Sequence, residues 1–102
     1  MFDAIDDLVE VINAQNLWAM RINLDWGTNP NLPINDTGKT PLMLAAESSR
    51  LSVEMVEILI DYNADVSLTD KLGMSAFAYA EKAGNAGALK AIRAASNKLP
   101  KG

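Results

Sequence analysis

The chain has no cysteine and no histidine. Without cysteine it can form neither disulfides nor thiolate metal sites, and without histidine it lacks the side chain most used as a general base or metal ligand. No apolar run approaches the roughly 18 residues that a membrane span needs, and residues 1–7 are acidic where a secretory signal is basic. We therefore expect a cytoplasmic protein that is not an enzyme, needs no cofactor and does not insert into membranes.

Carboxylates are the remaining candidates for chemistry. They form two clusters at helical spacing: Asp3, Asp6, Asp7 and Glu10, and Glu54, Glu57 and Asp61. Such clusters could perform acid–base chemistry or hold a divalent cation, but charged residues more often form the solvated face of a helix. Acidic residues in a first helical turn also complement the helix dipole. We favour the solvated faces, and the short Gly84-Asn-Ala-Gly87 stretch is no phosphate-binding loop.

Residues 38–46, which read Gly-Lys-Thr-Pro-Leu-Met-Leu-Ala-Ala, are the most informative stretch of the chain. Thr40 suits a helix N-cap, and Pro41 then takes the first helical position, where its missing N–H costs nothing. The residues after it form an apolar helix face. A second helical pattern follows at Val53–Tyr62, and it ends in Asn63-Ala-Asp-Val-Ser67.

This order of parts resembles one ankyrin repeat, whose pattern is Gly-x-Thr-Pro-Leu-x-x-Ala-Ala, a second helix and Gly-Ala-Asp-Val-Asn. Gly73-Met-Ser-Ala-Phe-Ala-Tyr-Ala80 repeats the first part at an offset of 35 (73 − 38), near the period of about 33 for such units. Upstream, Gly27-Thr-Asn-Pro-Asn31 is similar to the end of an earlier unit, which predicts helices at Phe2–Ile12 and Leu17–Trp26. The resemblance implies an all-α solenoid of three helix–turn–helix units with short projecting β-turns, at about 1–35, 36–70 and 71–100, followed by a tail at 101–102.

Several positions depart from the family pattern. Asn63 replaces a glycine that needs a positive φ, and asparagine is the best substitute for that conformation. Ser75 replaces threonine as a cap and proline is missing after it. Asn23 and Arg93 stand where interior units bury leucine, as expected for terminal units that face water. We therefore expect both ends of the chain to be true ends of the array.

Charge is distributed unevenly along the chain. Residues 1–36 carry six acidic and one basic side chain, whereas residues 71–102 carry one acidic and six basic. These charges could keep the two end units soluble, steer a partner of complementary charge, or favour head-to-tail self-association. We favour the first. Nucleic-acid binding is the weakest alternative because the basic segment lacks interleaved aromatic residues.

The resemblance also implies a binding surface, since partners of ankyrin domains usually contact the concave face formed by the turn tips and the first helices. Leu72 and Met74 are apolar at positions that should face solvent, so they either pack locally or bind a partner. The residues that map to this face are Leu32, Pro33, Thr37, Lys39, Met43, Glu47, Thr69, Lys71, Leu72, Met74, Ala78 and Lys82.

Trp18, Ile22 and Trp26 share one face of the predicted second helix, because they lie four residues apart. Tryptophan is enriched at binding hot spots, so this face could anchor a partner. We favour the alternative, in which the first helix or a shifted register covers it.

The sequence thus predicts a protein, monomeric on its own, that binds another protein through the concave face without catalysis, as a stoichiometric inhibitor or an adaptor. The alternative is a structural protein that assembles head-to-tail through its oppositely charged ends.

Overall fold

The computed structural model describes residues 4–48 and 51–97. Within them the regular structure is helical, which confirms the all-α prediction. The helices are α1 Ala4–Asn13, α2 Leu17–Asp25, α3 Pro41–Glu47, α4 Ser52–Asp61, α5 Ala76–Lys82 and α6 Ala86–Asn97. The sequence predicted Leu17–Trp26 for α2 and Val53–Tyr62 for α4. The bounds therefore differ by one residue at the end of α2 and by one residue at both ends of α4. Among the described helices, none is both long and apolar enough to cross a bilayer.

Polar side chains start the helices at the positions that the sequence indicated. The hydroxyl of Thr40 accepts the N–H of Met43 at 3.4 Å, and Pro41 follows as the first residue of α3. The hydroxyl of Ser75 accepts the N–H of Ala78 at the start of α5 in the same way. Each cap satisfies an N–H that the helix itself leaves without a partner, so these short helices begin at defined residues.

The turns use left-handed backbone where the pattern required it. Asn63 has φ 70° directly after α4, which confirms the prediction for that substitution. Gly38 has φ 80° and lies against the backbone of the next turn, where an added Cβ would be 3.5 Å from the Cα of Asp70. The turn before α3 (residues 32–39), which we call the first turn, can therefore approach the turn before α5 (residues 69–74), the second turn, closely.

The helices form three pairs that stack in chain order. Helix α1 packs on α2, α3 on α4 and α5 on α6; between pairs, α3 contacts α1 and α5, and α4 contacts α2 and α6. One apolar core runs through the stack and includes Leu8, Leu24, Leu42, Leu59 and Ile92. The boundaries of the repeats at 35/36 and 70/71 remain predictions, and residues 49 and 50, which lie between α3 and α4 in the sequence, are outside the described residues.

Polar contacts also join neighbouring pairs. The Oε1 atom of Gln15 accepts the N–H of Leu51 at 2.9 Å, between the loops that connect the helices of the first and second pairs. The side chain of Asn31 accepts the N–H of Asp65 at 2.6 Å and donates to the carbonyl oxygen of Asn63 at 3.2 Å. These bonds set the position of one pair relative to the next.

Candidate functional site

The first candidate site is formed by the two turns and the first helices of the second and third pairs; we call it the turn–helix surface. The N–H of Lys71 in the second turn donates to the carbonyl oxygen of Thr37 in the first turn at 2.8 Å. Leu72 projects from the second turn and is 78% exposed. A backbone hydrogen bond thus holds the turns side by side, with a large apolar side chain at the tip of one.

The second turn is internally braced by Asp70. Its Oδ1 atom accepts the N–H groups of Leu72 and Met74, each at 2.9 Å, and the backbone of Thr69 pairs with that of Ser75. The hydrogen bond from the Tyr79 hydroxyl is the main cause that lowers the pKa of Asp70 from 3.8, followed by the bond from Met74. The carboxylate is therefore ionised at neutral pH and keeps the turn in one shape.

A chain of polar contacts connects this turn to α3 and α5, and we call it the polar network. Tyr79 on α5 donates its hydroxyl to Oδ2 of Asp70. The ammonium group of Lys39 lies 4.8 Å from the centre of the Tyr79 ring and forms an ion pair with Glu47 at the end of α3. The hydrogen bond to Asp70 and burial raise the pKa of Tyr79 to about 12.

The polar network contains two residues that sequence reasoning missed, Asp70 and Tyr79. Both side chains are buried, and neither residue type alone indicated a functional role in the sequence. The available signal was weak: an aspartate that follows Thr69 in a turn, with a tyrosine nine residues later on the next helix. Their contribution to the surface is indirect, because they hold Lys39 and the second turn in place.

The structure places most of the predicted binding residues where a partner can reach them. The exposed ones are Leu32, Pro33, Thr37, Glu47, Thr69, Lys71, Leu72 and Lys82, and the partly buried ones are Lys39, Met74 and Ala78. Met74 packs against the core while Leu72 does not, so the two apolar residues of this turn have different environments. The exposed positive charge comes from Lys71 and Lys82, since Lys39 is paired.

Met43 corrects the predicted surface. Its side chain is 1% exposed, so it cannot contact a partner. The sulfur atom folds back to the start of its own helix, where it accepts the N–H of Thr40 at 3.4 Å. A methionine side chain is long and flexible enough to fill this gap in the core, and the motif alignment alone could not show that.

The second candidate site is an apolar groove of about 650 Å³, which we call the end groove. Its lining comes from α1, α2 and the two residues that follow the C-cap of α2: Asp7, Val11, Trp18, Ala19, Ile22, Asn23, Trp26, Gly27 and Thr28. Trp18 is 75% exposed and Trp26 is 87% exposed. The prediction that α1 or a shifted register covers this face is therefore wrong, and both indole rings face solvent.

The lining of the end groove includes a carboxylate, that of Asp7. Asp7 lines the groove, and its Oδ2 atom is buried without a hydrogen-bond partner in the described part of the chain. A buried carboxylate oxygen without a donor costs free energy that a donor group would recover. Across residues 4–48 and 51–97, no cluster of three or more acidic side chains is placed to hold a metal ion.

Comparison with known proteins gives a consistent result. A family model described as ankyrin repeats in three copies matches residues 8–99. The chain is 41% identical over 69 residues to the human SH3 and multiple ankyrin repeat domains protein 2, and 35% identical over 65 residues to an ankyrin repeat protein of Fowlpox virus. These matches cover 68% and 64% of this chain, but only 4% and 11% of the two relatives.

Proposed function

Because this chain belongs to the ankyrin-repeat family, whose members are interaction modules, we propose that it binds one partner protein through the turn–helix surface and carries out no catalysis. The observation that carries the proposal is the exposed Leu72 on a turn that Asp70 and the bond to Thr37 hold in one shape. Because the backbone of this turn is already ordered, presenting Leu72 to a partner costs little backbone conformational freedom on binding. The proposal places the protein in the cytoplasm, as its composition predicts.

The chemistry of this surface describes the partner. Lys71, next to Leu72 in the second turn, and Lys82, at the end of α5, are exposed cations, whereas the charge of Lys39 is already balanced by Glu47. The complementary surface is an apolar pocket, sized for a leucine, with carboxylates at its rim. Such rim charges accelerate association more than they tighten the complex, so binding should be faster at low salt.

The test is affinity capture with the tagged protein from an extract of the cells that produce it, at low and high salt. We expect the double variant Lys71→Glu/Leu72→Ala to lose the partner while its melting temperature stays that of the unchanged protein. The matched control is Lys90→Glu, which reverses one charge on α6, away from the turns. If the double variant captures the partner as well as the control does, the turn–helix surface is not the binding site.

The partner's own activity then separates two roles. A stoichiometric inhibitor lowers that activity in proportion to the amount added, up to one equivalent. An adaptor leaves it unchanged and brings a further protein into the complex through a separate surface.

A further inference from the structure

The end groove is the part of the stack that none of the described helices covers. Its lining residues belong to α1, α2 and the residues just after α2, and none belongs to α3 or α4. Counting back from the positive-φ residues Gly27 and Asn63 makes Ile22 on α2 equivalent to Ile58 on α4. Ile58 is buried because α4 lies between α2 and α6, whereas Ile22 is 37% exposed. The position of Ile22 is therefore core in the second helix pair and partly exposed in the first, while the same count matches Trp18 to Glu54, which is exposed in the second pair as well.

The shape and lining of the end groove suit an apolar ligand. Pockets that bind ligands usually have volumes of about 300–1,000 Å³, and the end groove has about 650 Å³. Trp18 and Trp26 present two large, rigid rings at its edge, and tryptophan is prominent among residues that dominate binding energy. Water-exposed indoles two helical turns apart on one face, with Ile22 between them, typically mark a docking surface.

The charges of the residues around the end groove indicate which charge its ligand should carry. The carboxylate of Asp7 lies among apolar side chains with one buried oxygen unpaired among the described residues. Helices α1 and α2 also carry Asp6, Glu10 and Asp25, against Arg21 as their one cation. Because the terminal torsion of aspartate is soft, the carboxylate can rotate to meet a donor in the groove. A cation on the ligand would gain from Asp7 and from the faces of the indole rings.

We propose that the end groove binds an amphipathic helix of a partner protein, which presents two large apolar side chains and one basic side chain. We infer a helical ligand from the contact between the first and second pairs, where α2 packs against α4. Helix α2 buries Met20 and Leu24, which lie four residues apart. A ligand helix in the end groove would take the place that α2 takes against α4. Its basic side chain would pair with Asp7 and lie over Trp18 or Trp26.

A second copy of this chain fits the end groove less well. Helix α6 offers the charges, because Lys90 and Arg93 are exposed on it. However, the large apolar side chains that are exposed in residues 6–48 and 51–97 lie elsewhere: Trp18, Ile22, Trp26, Leu32 and Leu72. The basic helix therefore has no large exposed apolar side chain to place between the indoles.

Intrinsic fluorescence tests the proposal directly, since Trp18 and Trp26 are the two tryptophans of the chain and both line the groove. The probe is an alanine-based helical peptide of about 15 residues with leucines four apart and one arginine on the same face. Its matched control carries citrulline, which is neutral and nearly identical in shape. We expect a saturable emission change with the arginine peptide and about tenfold weaker binding of the citrulline peptide.

Protein variants complete the test. Asp7→Asn should weaken the arginine peptide about tenfold and leave the citrulline peptide unaffected, because both changes remove the same charge pair. Lys71→Glu/Leu72→Ala should leave both titrations unchanged, so this site and the turn–helix surface can fail independently. If Asp7→Asn lowers the melting temperature, the comparison of the two peptides on the unchanged protein decides the question.

Three results would overturn the proposal. One is equal affinity for the arginine and citrulline peptides on the unchanged protein, and another is no emission change at peptide concentrations of about 1 mM, where binding would be weaker than about 4 kcal/mol. The third is a sedimentation mass that grows with protein concentration and returns to the monomer value in Asp7→Asn. That result would assign the end groove to a second copy.

Discussion

Helices α2 and α4 have similar lengths and equivalent places in their pairs, yet they differ in what they bury. Helix α4 lies between α2 and α6 and buries Ser52, Met55, Val56, Ile58 and Leu59, whereas α2 has α4 on one side and buries Met20 and Leu24. Trp18 and Ile22 on α2 are exposed instead. In a stacked protein, the neighbours of a helix decide whether its apolar residues are core or binding surface.

The largest expected effect tests this difference through stability. Leu59→Ala on α4 removes a fully buried side chain and should lower the free energy of unfolding by about 2–5 kcal/mol. Ile22→Ala on α2 removes a side chain that is 37% exposed, so it should cost less, about 1 kcal/mol. Urea denaturation of both variants measures the two values, and similar losses would show that the end groove is covered in solution.

Tyrosine titration tests the contacts that hold the pairs together. Tyr62, the C-cap of α4, donates its hydroxyl to Asp25 on α2, which raises the pKa of Tyr62 above 10, and Tyr79 donates to Asp70. In Tyr62→Phe the remaining tyrosine should ionise with a pKa of about 12, measured by tyrosinate absorbance. An ordinary value near 10 would mean that the polar network is open in solution.

The raised pKa has a consequence for stability at high pH. A group whose pKa is higher in the folded protein stabilises it fully below the unfolded value, near 10, and loses that contribution as the pH rises through about 12. The pKa of Asp70 shifts in the opposite direction: it is lowered in the folded protein. The stabilisation that Asp70 provides is therefore present above pH 3.8 and lost as the pH falls. Tyr79→Phe should flatten the alkaline part and Asp70→Asn the acidic part of a melting-temperature profile.

A smaller effect is expected where α4 ends. Helix α2 is followed by Gly27 at φ 102°, and α4 is followed by Asn63 at φ 70°. Asn63→Ala should cost about 1 kcal/mol because a Cβ is strained in this conformation, while Asn63→Gly should be neutral or slightly stabilising. Thermal unfolding checks the order of the three proteins, and an alanine variant as stable as glycine would contradict the assigned conformation.

The smallest effect on stability is expected from the tryptophans. Trp18→Ala and Trp26→Ala remove side chains that are mostly exposed, so each should change the melting temperature little. The same substitutions should weaken the helical peptide strongly, since both rings line the end groove. A large loss of stability in either variant would show that the indole packs on the protein itself.

Local chemistry explains how much of the fold could be predicted. Thr40, Pro41 and Asn63 each have one physical use at their positions, and the structure has all three in that use. The two wrong predictions concerned which side chains the rest of the protein covers. Met43 was assigned to the surface because alignment fixes a backbone position but not the fold of a long side chain. The face of Trp18 and Trp26 was expected to be covered by the first helix or by a shifted register, although nothing in the described stack lies over the two exposed indoles.

The candidate sites were predictable to different extents. Lys71 and Leu72 follow from the turn pattern, because turn tips project from any stack of this kind. The polar network does not, since the contact between Tyr79 and Asp70 depends on the distance between a turn and the next helix. Likewise, the unpaired oxygen of Asp7 depends on how α1 packs on α2 and has no signature in sequence.

The backbone bond between Lys71 and Thr37 also sets how the two turns move. Thermal bending of the stack would widen the gap between the tips, and this bond opposes it. The distance between the tips of the two turns is therefore nearly constant. A partner that contacts both tips meets them at one separation, so the conformational entropy of positioning the turns is lost when the protein folds and not when the complex forms.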